Sequence, residues 1–255
     1  MRSIKRLLPD VAMLVVALGV APTAVAQSDT RFAADLEMGP VWQSRNDVRI
    51  PNTAAGTRFS LVDVVGQGPW PAGRLYITWN ITNRHSIRGL LAPLSYTATG
   101  TLDDPVNFAG VAYQPGEPVD ATYKFNSWRV GYRYRFTDRE RLKLAVGVTA
   151  KIRDAKIELK QGSSTSEDTD VGFVPLLYFG ADWLVARSWH LVFDFEGLAG
   201  GPGRAFDVAL KAGYDLSRNW SLGAGYRTVE GGADVEAVYN FAWFHYALVS
   251  ATYRF

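Results

Sequence analysis

The stretch from Leu142 to Arg153 constrains the fold of this chain most, because it alternates strictly between two kinds of residue. Its even-numbered positions are all apolar, and its odd-numbered positions hold two lysines, an arginine, a threonine and two small residues. Period-two alternation predicts a β-strand with one apolar face. A strand of this length exceeds the five or six residues that are usual in soluble sheets, and it is long enough to cross a bilayer at a tilt.

Similar alternation recurs after residue 26. This part of the sequence has no run of 18 consecutive apolar residues, so no membrane helix is predicted there. In a soluble sheet the apolar face points into the protein, whereas in a membrane barrel it points to lipid and the polar face points into the lumen. Strand length, the order of short and longer links, and aromatic residues near strand ends all favour the barrel. We predict strands at residues 31–42, 72–82, 85–98, 121–136, 141–158, 172–186, 189–200, 205–216, 219–230 and 239–255.

The predicted fold class is all-β, a closed antiparallel transmembrane β-barrel of ten strands, with eight strands as the alternative if one pair is misassigned. Outer-membrane barrels place short turns in the periplasm and long loops outside. The predicted short turns are 83–84, 137–140, 187–188 and 217–218. The predicted outer loops are 43–71, 99–120, 159–171, 201–204 and 231–238. Within the first loop, Phe59 to Val65 fits either an extra strand or a short plug.

The first 26 residues are predicted to be a cleaved secretory signal peptide. A basic start is followed by an apolar stretch and by Ala24 and Ala26 in the A-x-A pattern of signal peptidase sites. Residues 27–255 are then the barrel domain. Residues 1–26 hold three basic residues and one acidic residue, so the rest of the chain has 24 of each sign. This balance does not favour a nucleic-acid partner.

The sequence closes on HYALVSATYRF, in which Tyr253 and Phe255 share the phase of the apolar residues. This segment resembles the C-terminal strand of Gram-negative outer-membrane barrel proteins with OmpW-, OmpX- or omptin-like architecture. The resemblance implies location in the cell outer membrane. It also implies partners: the barrel-assembly machinery, which reads Tyr253 and Phe255, and outer-membrane lipid with lipopolysaccharide.

The polar face of each predicted strand supplies the expected lumen lining, with nearly balanced charge. A ten-stranded barrel is narrow enough for side chains to fill its interior, so we interpret these charges as a salt-bridged core. A selectivity lining for a narrow pore is the other interpretation. The expected lumen charges are Asp35, Glu37, Arg129, Arg133, Arg135, Lys143, Lys151, Arg153, Asp182, Asp194, Glu196, Asp207, Lys211, Asp215 and Arg227.

Catalytic, cofactor and metal sites are not predicted. The resemblance implies that an enzyme of this kind would carry a histidine at the extracellular rim, paired with an aspartate in omptins or with a serine two residues away in a lipid A deacylase. His85 and His190 fall at periplasmic turns, and His245 is followed at position 247 by alanine. The chain has no cysteine and no two neighbouring histidines to hold a metal. The acidic stretch SSTSEDTD (163–170) is expected to be a solvated loop, with divalent-cation binding as the alternative.

Three functions remain open from the sequence. The first is a mostly closed barrel with a structural or surface-interaction role and no enzymatic activity. The second is a narrow channel or transporter for small molecules, for which the resemblance to the OmpW type implies a side opening that admits apolar ligands. The third is a lipid-modifying or proteolytic barrel enzyme.

Overall fold

The computed structural model describes residues 31–255. The predicted signal peptide, with Ala24 and Ala26, lies outside the described residues. Within them the chain forms fourteen strands and one short helix: β1 (Phe32–Arg49), β2 (Phe59–Ser60), α1 (Leu61–Val65), β3 (Trp70–Asn80), β4 (His85–Ala92), β5 (Ser95–Thr101), β6 (Val106–Phe108), β7 (Val111–Tyr113), β8 (Pro118–Asp138), β9 (Leu142–Gln161), β10 (Ser164–Ala186), β11 (Trp189–Gly200), β12 (Gly203–Asp215), β13 (Trp220–Asp234) and β14 (Tyr239–Arg254).

The barrel wall has ten positions, and antiparallel strands that pair in chain order fill them. β4 and β5 both pair with β8 and together make one wall strand, interrupted at Pro93 and Leu94. The wall closes where β1 pairs with β14. Phe32 and Phe255 exchange backbone hydrogen bonds of 3.0 and 2.9 Å at this seam. The prediction of a closed ten-stranded antiparallel barrel is therefore confirmed, and the eight-stranded alternative is wrong.

The end of the barrel where β1 begins and β14 ends is called the periplasmic end, following the usual arrangement of outer-membrane barrels. Above this end the outer surface is apolar: Val146, Val148 and Ile152 of β9 are exposed, whereas the intervening Thr149 and Lys151 are buried. The stacked rings of Phe32, Trp79 and Phe255 and the tilted pair Trp220 and Tyr253 border this apolar surface at the periplasmic end. The surface thus matches a bilayer, with lipid outside and charges inside. No helix within residues 31–255 is long and apolar enough to span a membrane.

The pattern of the same strands reverses farther from the periplasmic end. On β9, Asp154, Lys156 and Glu158 continue the outward face, while Ile157 and Leu159 on the inward face are buried. β8 changes at the same level, since Lys124 faces outward beside Asp154 and Tyr123 faces inward. This outer part of the barrel follows the rule for a protein in water, with charge outside and apolar side chains inside.

All five outer links are shorter than predicted, because the strands continue beyond the membrane. β10 begins at Ser164, so most of the acidic stretch 163–170 is strand and its link to β9 is only residues 162–163. The predicted loops 201–204 and 231–238 shrink to 201–202 and 235–238. A single rule of apolar outside and polar inside fails here, because water replaces lipid around the outer part and the outward residues no longer need to be apolar.

The first two outer loops enter the barrel instead of covering it. Ser60 caps the single turn of α1, whose Leu61 and Val64 are buried, and the β6–β7 hairpin buries Phe108 and Tyr113. These side chains share one apolar core with the inward residues of the outer wall. Phe59 to Val65 is therefore a plug and not a wall strand. Gly100 permits the close approach, since a Cβ there would lie 1.5 Å from the carbonyl oxygen of Val64.

Candidate functional site

A network of buried ion pairs fills the lumen at the level of the membrane. Asp207 lies at its centre: its Oδ2 accepts from Arg74 at 2.7 Å and contacts Arg129 Nη2 at 2.8 Å, and its Oδ1 accepts from Arg227. These four side chains are each 6% exposed or less. The three arginines come from β3, β8 and β13, so one carboxylate ties together three parts of the wall.

Glu37 forms a second centre beside Asp207. It accepts two hydrogen bonds from Arg227 Nη2, at 2.9 and 3.0 Å, and one from Lys211 Nζ at 2.8 Å. Lys211 also donates to Asp35 at 3.0 Å. Ionised partners in such short, partly bidentate contacts make the strongest protein hydrogen bonds.

A third group of charges adjoins these two. Asp194 lies 3.3 Å from Arg88 and accepts from Tyr178 at 2.9 Å. Glu196 pairs with Arg129 and with Arg133, and accepts from Thr149 at 2.9 Å. Removing one partner from a buried pair leaves an uncompensated charge, so every member of the network depends on the others.

Nine of the residues expected to line the lumen are in this network: Asp35, Glu37, Arg129, Arg133, Asp194, Glu196, Asp207, Lys211 and Arg227. Sequence analysis missed Arg74, Arg88 and Tyr76, whose ring lies 3.8 Å from the Arg88 guanidinium carbon. Alternation was a sufficient signal for all three, since Leu75, Ile77 and Leu91 on the same two strands are apolar and face outward.

The other expected lumen charges lie apart from the network. Lys143 is exposed, and Arg135 pairs with Asp138 at 3.7 Å near the periplasmic end. Arg153 pairs with Asp170. Lys151 is buried and has no carboxylate within ion-pair distance among residues 31–255.

The periplasmic mouth holds a histidine between two carboxylates. His190 contacts Asp182 at 2.7 Å and Asp215 at 2.9 Å, and these residues lie on three adjacent strands. Asp215 also accepts from Ser221. The serine hydroxyl therefore bonds to the aspartate and not to the imidazole, so the group lacks the nucleophile–base contact that nucleophilic catalysis requires.

The other two histidines face outward. His245 contacts Ser44 Oγ at 2.7 Å and the Tyr226 hydroxyl. Its imidazole ring also lies beside the rings of Trp42 and Trp243. His85 contacts the Tyr132 hydroxyl at 2.6 Å near the periplasmic end. Within the described part of the chain no cluster of histidine, cysteine, aspartate and glutamate is arranged to hold a metal ion.

Two cavities lie on opposite sides of the ion-pair network. The periplasmic cavity has a volume of about 270 Å³ and is lined by network residues that include Arg88, Asp194 and Lys211. The outer cavity has a volume of about 590 Å³, and its floor includes Arg129 and Asp207. The network, which we call the partition, therefore lies between the two cavities.

The outer cavity is amphipathic. Its inward walls are formed by apolar side chains, and its floor carries three cations together with the carboxylates of Asp170, Glu196 and Asp207. The wall side chains include Phe125, Ile157, Leu176, Val229 and Phe244, and the cations are Arg129, Lys151 and Arg153. Asp168 lies farther out on β10, and burial raises the pKa of its carboxyl.

A lateral notch opens this cavity through the wall. β10 pairs with β11 only as far as Leu177 opposite Gly197, although β10 continues outward to Ser164 and β11 ends at Gly200. Phe173 and Leu198 lie on the two sides of the gap, line the cavity and are 65% and 39% exposed. Pro175, on the free edge of β10, has no N–H to leave unpaired, which suits an edge strand.

Comparison with known proteins identifies the fold. No family model and no curated protein matches the sequence. The outer membrane protease OmpT from Escherichia coli has a similar structure, with a TM-score of 0.56 and 10% identity over 91% of this chain and 99% of that chain. AlkL in lipid bilayers has a TM-score of 0.40 and 12% identity, over 94% and 98% of the two chains. Ail of Yersinia pestis has a TM-score of 0.39 and 13% identity, over 88% of this chain and 99% of that chain.

At 10% identity the likeness to OmpT concerns the fold alone. The closed ten-stranded wall, the apolar outer surface and the charged interior add the physical features that a bilayer demands. The chain therefore has the fold of the small outer-membrane β-barrels of Gram-negative bacteria and is an integral protein of that membrane.

Proposed function

We propose that this protein is a closed outer-membrane barrel whose outer part serves as a binding and interaction surface. The observation that carries this proposal is the ion-pair network between the two cavities. A path for ions would have to pass Asp207, Glu37 and their arginines. Opening it would separate buried partners, which costs about 3–5 kcal/mol for each pair broken.

The arrangement of the histidines supports a role without enzymatic activity. Within residues 31–255 the histidine that contacts carboxylates is at the periplasmic mouth, whereas His245 near the outer interface contacts hydroxyl groups. A general base at the outer rim would need a partner that orients its imidazole toward substrate.

Planar-bilayer conductance tests the proposal. The purified protein is expected to give no steady current. Replacing Arg74, Arg129 and Arg227 together by glycine is expected to produce channels, because the partition is removed. Arg204→Gly is the matched control, since Arg204 pairs with Glu230 on the outward face of the outer part. Steady conductance of the unaltered protein that is unchanged in the triple variant would refute the closed lumen.

A second candidate, a transporter for small apolar molecules, is favoured by the lateral notch beside Phe173 and Leu198. In this case the cargo enters or leaves through the wall and does not cross the partition. Bulky residues at the notch, such as Leu198→Trp, would then slow uptake of an apolar solute into intact cells while the current stays zero.

The partners proposed for the barrel are outer-membrane lipid with lipopolysaccharide around the wall, and the barrel-assembly machinery at the C-terminal strand. Tyr253 and Phe255 stack on each other, and Phe255 stacks on Phe32. A terminal ring contributes at most about 1.5–3 kcal/mol by burial. Deleting Phe255 is therefore expected to reduce the assembled, heat-modifiable fraction in cells far more than the unfolding midpoint of refolded protein. An equal fall of both would make Phe255 a packing residue only.

A further inference from the structure

Lys151 differs from every other buried cation of the lumen. Lys151 is 3% exposed, and its Nζ makes no hydrogen bond or ion pair with residues 31–255. Its contact is with the ring of Phe125, whose centroid lies 4.6 Å from Nζ. The Nζ is not enclosed by protein, because Lys151 lines the outer cavity, so its unused donors face that cavity and call for a partner there.

The surroundings of Lys151 offer no carboxylate for that role. Across the sheet its direct neighbours are Arg129 and Val174. The carboxylates nearby are already bound: Asp207 and Glu196 by Arg129, and Asp170 by Arg153. Arg153 keeps a buried Nε with no hydrogen-bond partner. The cavity floor thus presents a lysine that has no carboxylate partner, together with unused donors.

The walls above this floor are apolar. A volume of about 590 Å³ is within the range of small-molecule sites, and the cavity is continuous with the lateral notch at Phe173 and Leu198. Asp168, farther out on the inward face of β10, repels an anion from the outer part of the cavity. A ligand that fits has one negative head at the floor and an apolar body that runs toward the notch.

We propose that the outer cavity binds an amphiphile with a single anionic head, which pairs with Lys151 and Arg153, and an apolar chain, which lies along Phe125, Ile157 and Leu176. This inference rests on the proposed binding role of the outer part and names its ligand class. A free fatty-acid-like anion from the water side and an anionic lipid from the outer leaflet share this chemistry. The notch gives the second a direct route.

The test uses the full barrel in nanodiscs of zwitterionic phosphatidylcholine, titrated with decanoate and followed by calorimetry. Lys151→Met is expected to weaken decanoate binding by about 10- to 100-fold, the range for a hydrogen bond between charged groups. Lys143→Met is the matched control, because Lys143 is on the same face of β9, eight residues away, and lines the periplasmic cavity instead. It is expected to bind decanoate as the unaltered protein does.

Head-group probes separate charge from apolar contact. Decanol and decyltrimethylammonium are expected to bind the unaltered protein at least tenfold more weakly than decanoate, and decanol binding is expected to be unchanged in Lys151→Met. Equal binding of decanoate by the unaltered protein and Lys151→Met, or equal binding of decanoate and decanol, would overturn the proposal. In that case water alone solvates Lys151.

Two further measurements keep the result interpretable. Lys151→Met is expected to fold and to melt no lower than the unaltered protein, since it removes a buried amine that has no hydrogen-bond partner. Adding phosphatidylglycerol to the nanodisc distinguishes the sources: competition with decanoate identifies the leaflet lipid, and its absence identifies a soluble anion. These readouts do not depend on conductance, so a conducting lumen and a failed binding site are distinguishable.

Discussion

The membrane-level part and the outer part of this barrel are made from the same strands but obey opposite rules. On β9, the inward residues Thr149 and Lys151 are buried among charges, whereas the inward Ile157 and Leu159 are buried among apolar rings. The outward face changes in the opposite sense, from Val148 to Glu158. The backbone is continuous across the change, so the solvent around the wall, and not the strand, decides which face carries charge.

The two parts therefore have different kinds of core. The core of the membrane-level part is an ion-pair network that joins specific partners, so a different pairing would leave a charge unpaired. The core of the outer part is apolar and includes α1 and the β6–β7 hairpin. Apolar contacts depend less on direction than ion pairs do. We expect a rigid partition below and a cavity above whose walls tolerate conservative apolar changes.

The largest expected difference concerns ion pairs. Asp207→Asn leaves three arginines short of a carboxylate and is expected to lower the free energy of unfolding by about 3–5 kcal/mol. The matched change in the outer part is Glu158→Gln, which breaks a partly exposed pair with Lys156 and is expected to cost less than about 1 kcal/mol. Denaturant unfolding of refolded protein in detergent measures both. Equal losses would contradict the distinction between the two cores.

The second comparison uses leucines. Leu159→Ala opens a cavity in the outer core, where this side chain is fully buried, and is expected to cost about 2–5 kcal/mol. Leu177→Ala removes a side chain from the lipid-facing surface, where acyl chains or detergent fill the space, so a smaller loss is expected. The same unfolding experiment applies. A larger loss at position 177 would mean that this face packs against protein and not against lipid.

The third comparison uses charges added to the outward face. Val148→Arg, at a residue that is 56% exposed in the apolar surface, is expected to cost about 2–4 kcal/mol at the bilayer midplane and to reduce insertion. Thr169→Arg, on the outward face of β10 in the outer part, is expected to change stability by no more than about 0.5 kcal/mol. Folding yield in lipid vesicles provides the measurement. If both are tolerated equally, the membrane boundary lies elsewhere.

Much of the lower barrel was predictable because its information is local. A pleated strand sends alternate side chains to opposite faces, and lipid requires one face to be apolar, so residues such as Val146 and Arg129 disclose their sides within a few positions. The same rule would have identified Arg74 and Arg88. It failed at β10, where Ser164 to Asp170 continue the strand in water with polar residues on both faces.

By itself the sequence determined the ten strands and the faces of the membrane-level residues, since each follows from period two and from turn positions along one segment. Only the tertiary structure decided which carboxylate meets which cation, because Glu37, Asp207 and their partners are brought together across the lumen from strands distant in sequence. It also decided that pairing stops at Leu177 and that Lys151 is left without an acceptor. Both depend on how far neighbouring strands extend and on register around a closed wall, which no single segment encodes.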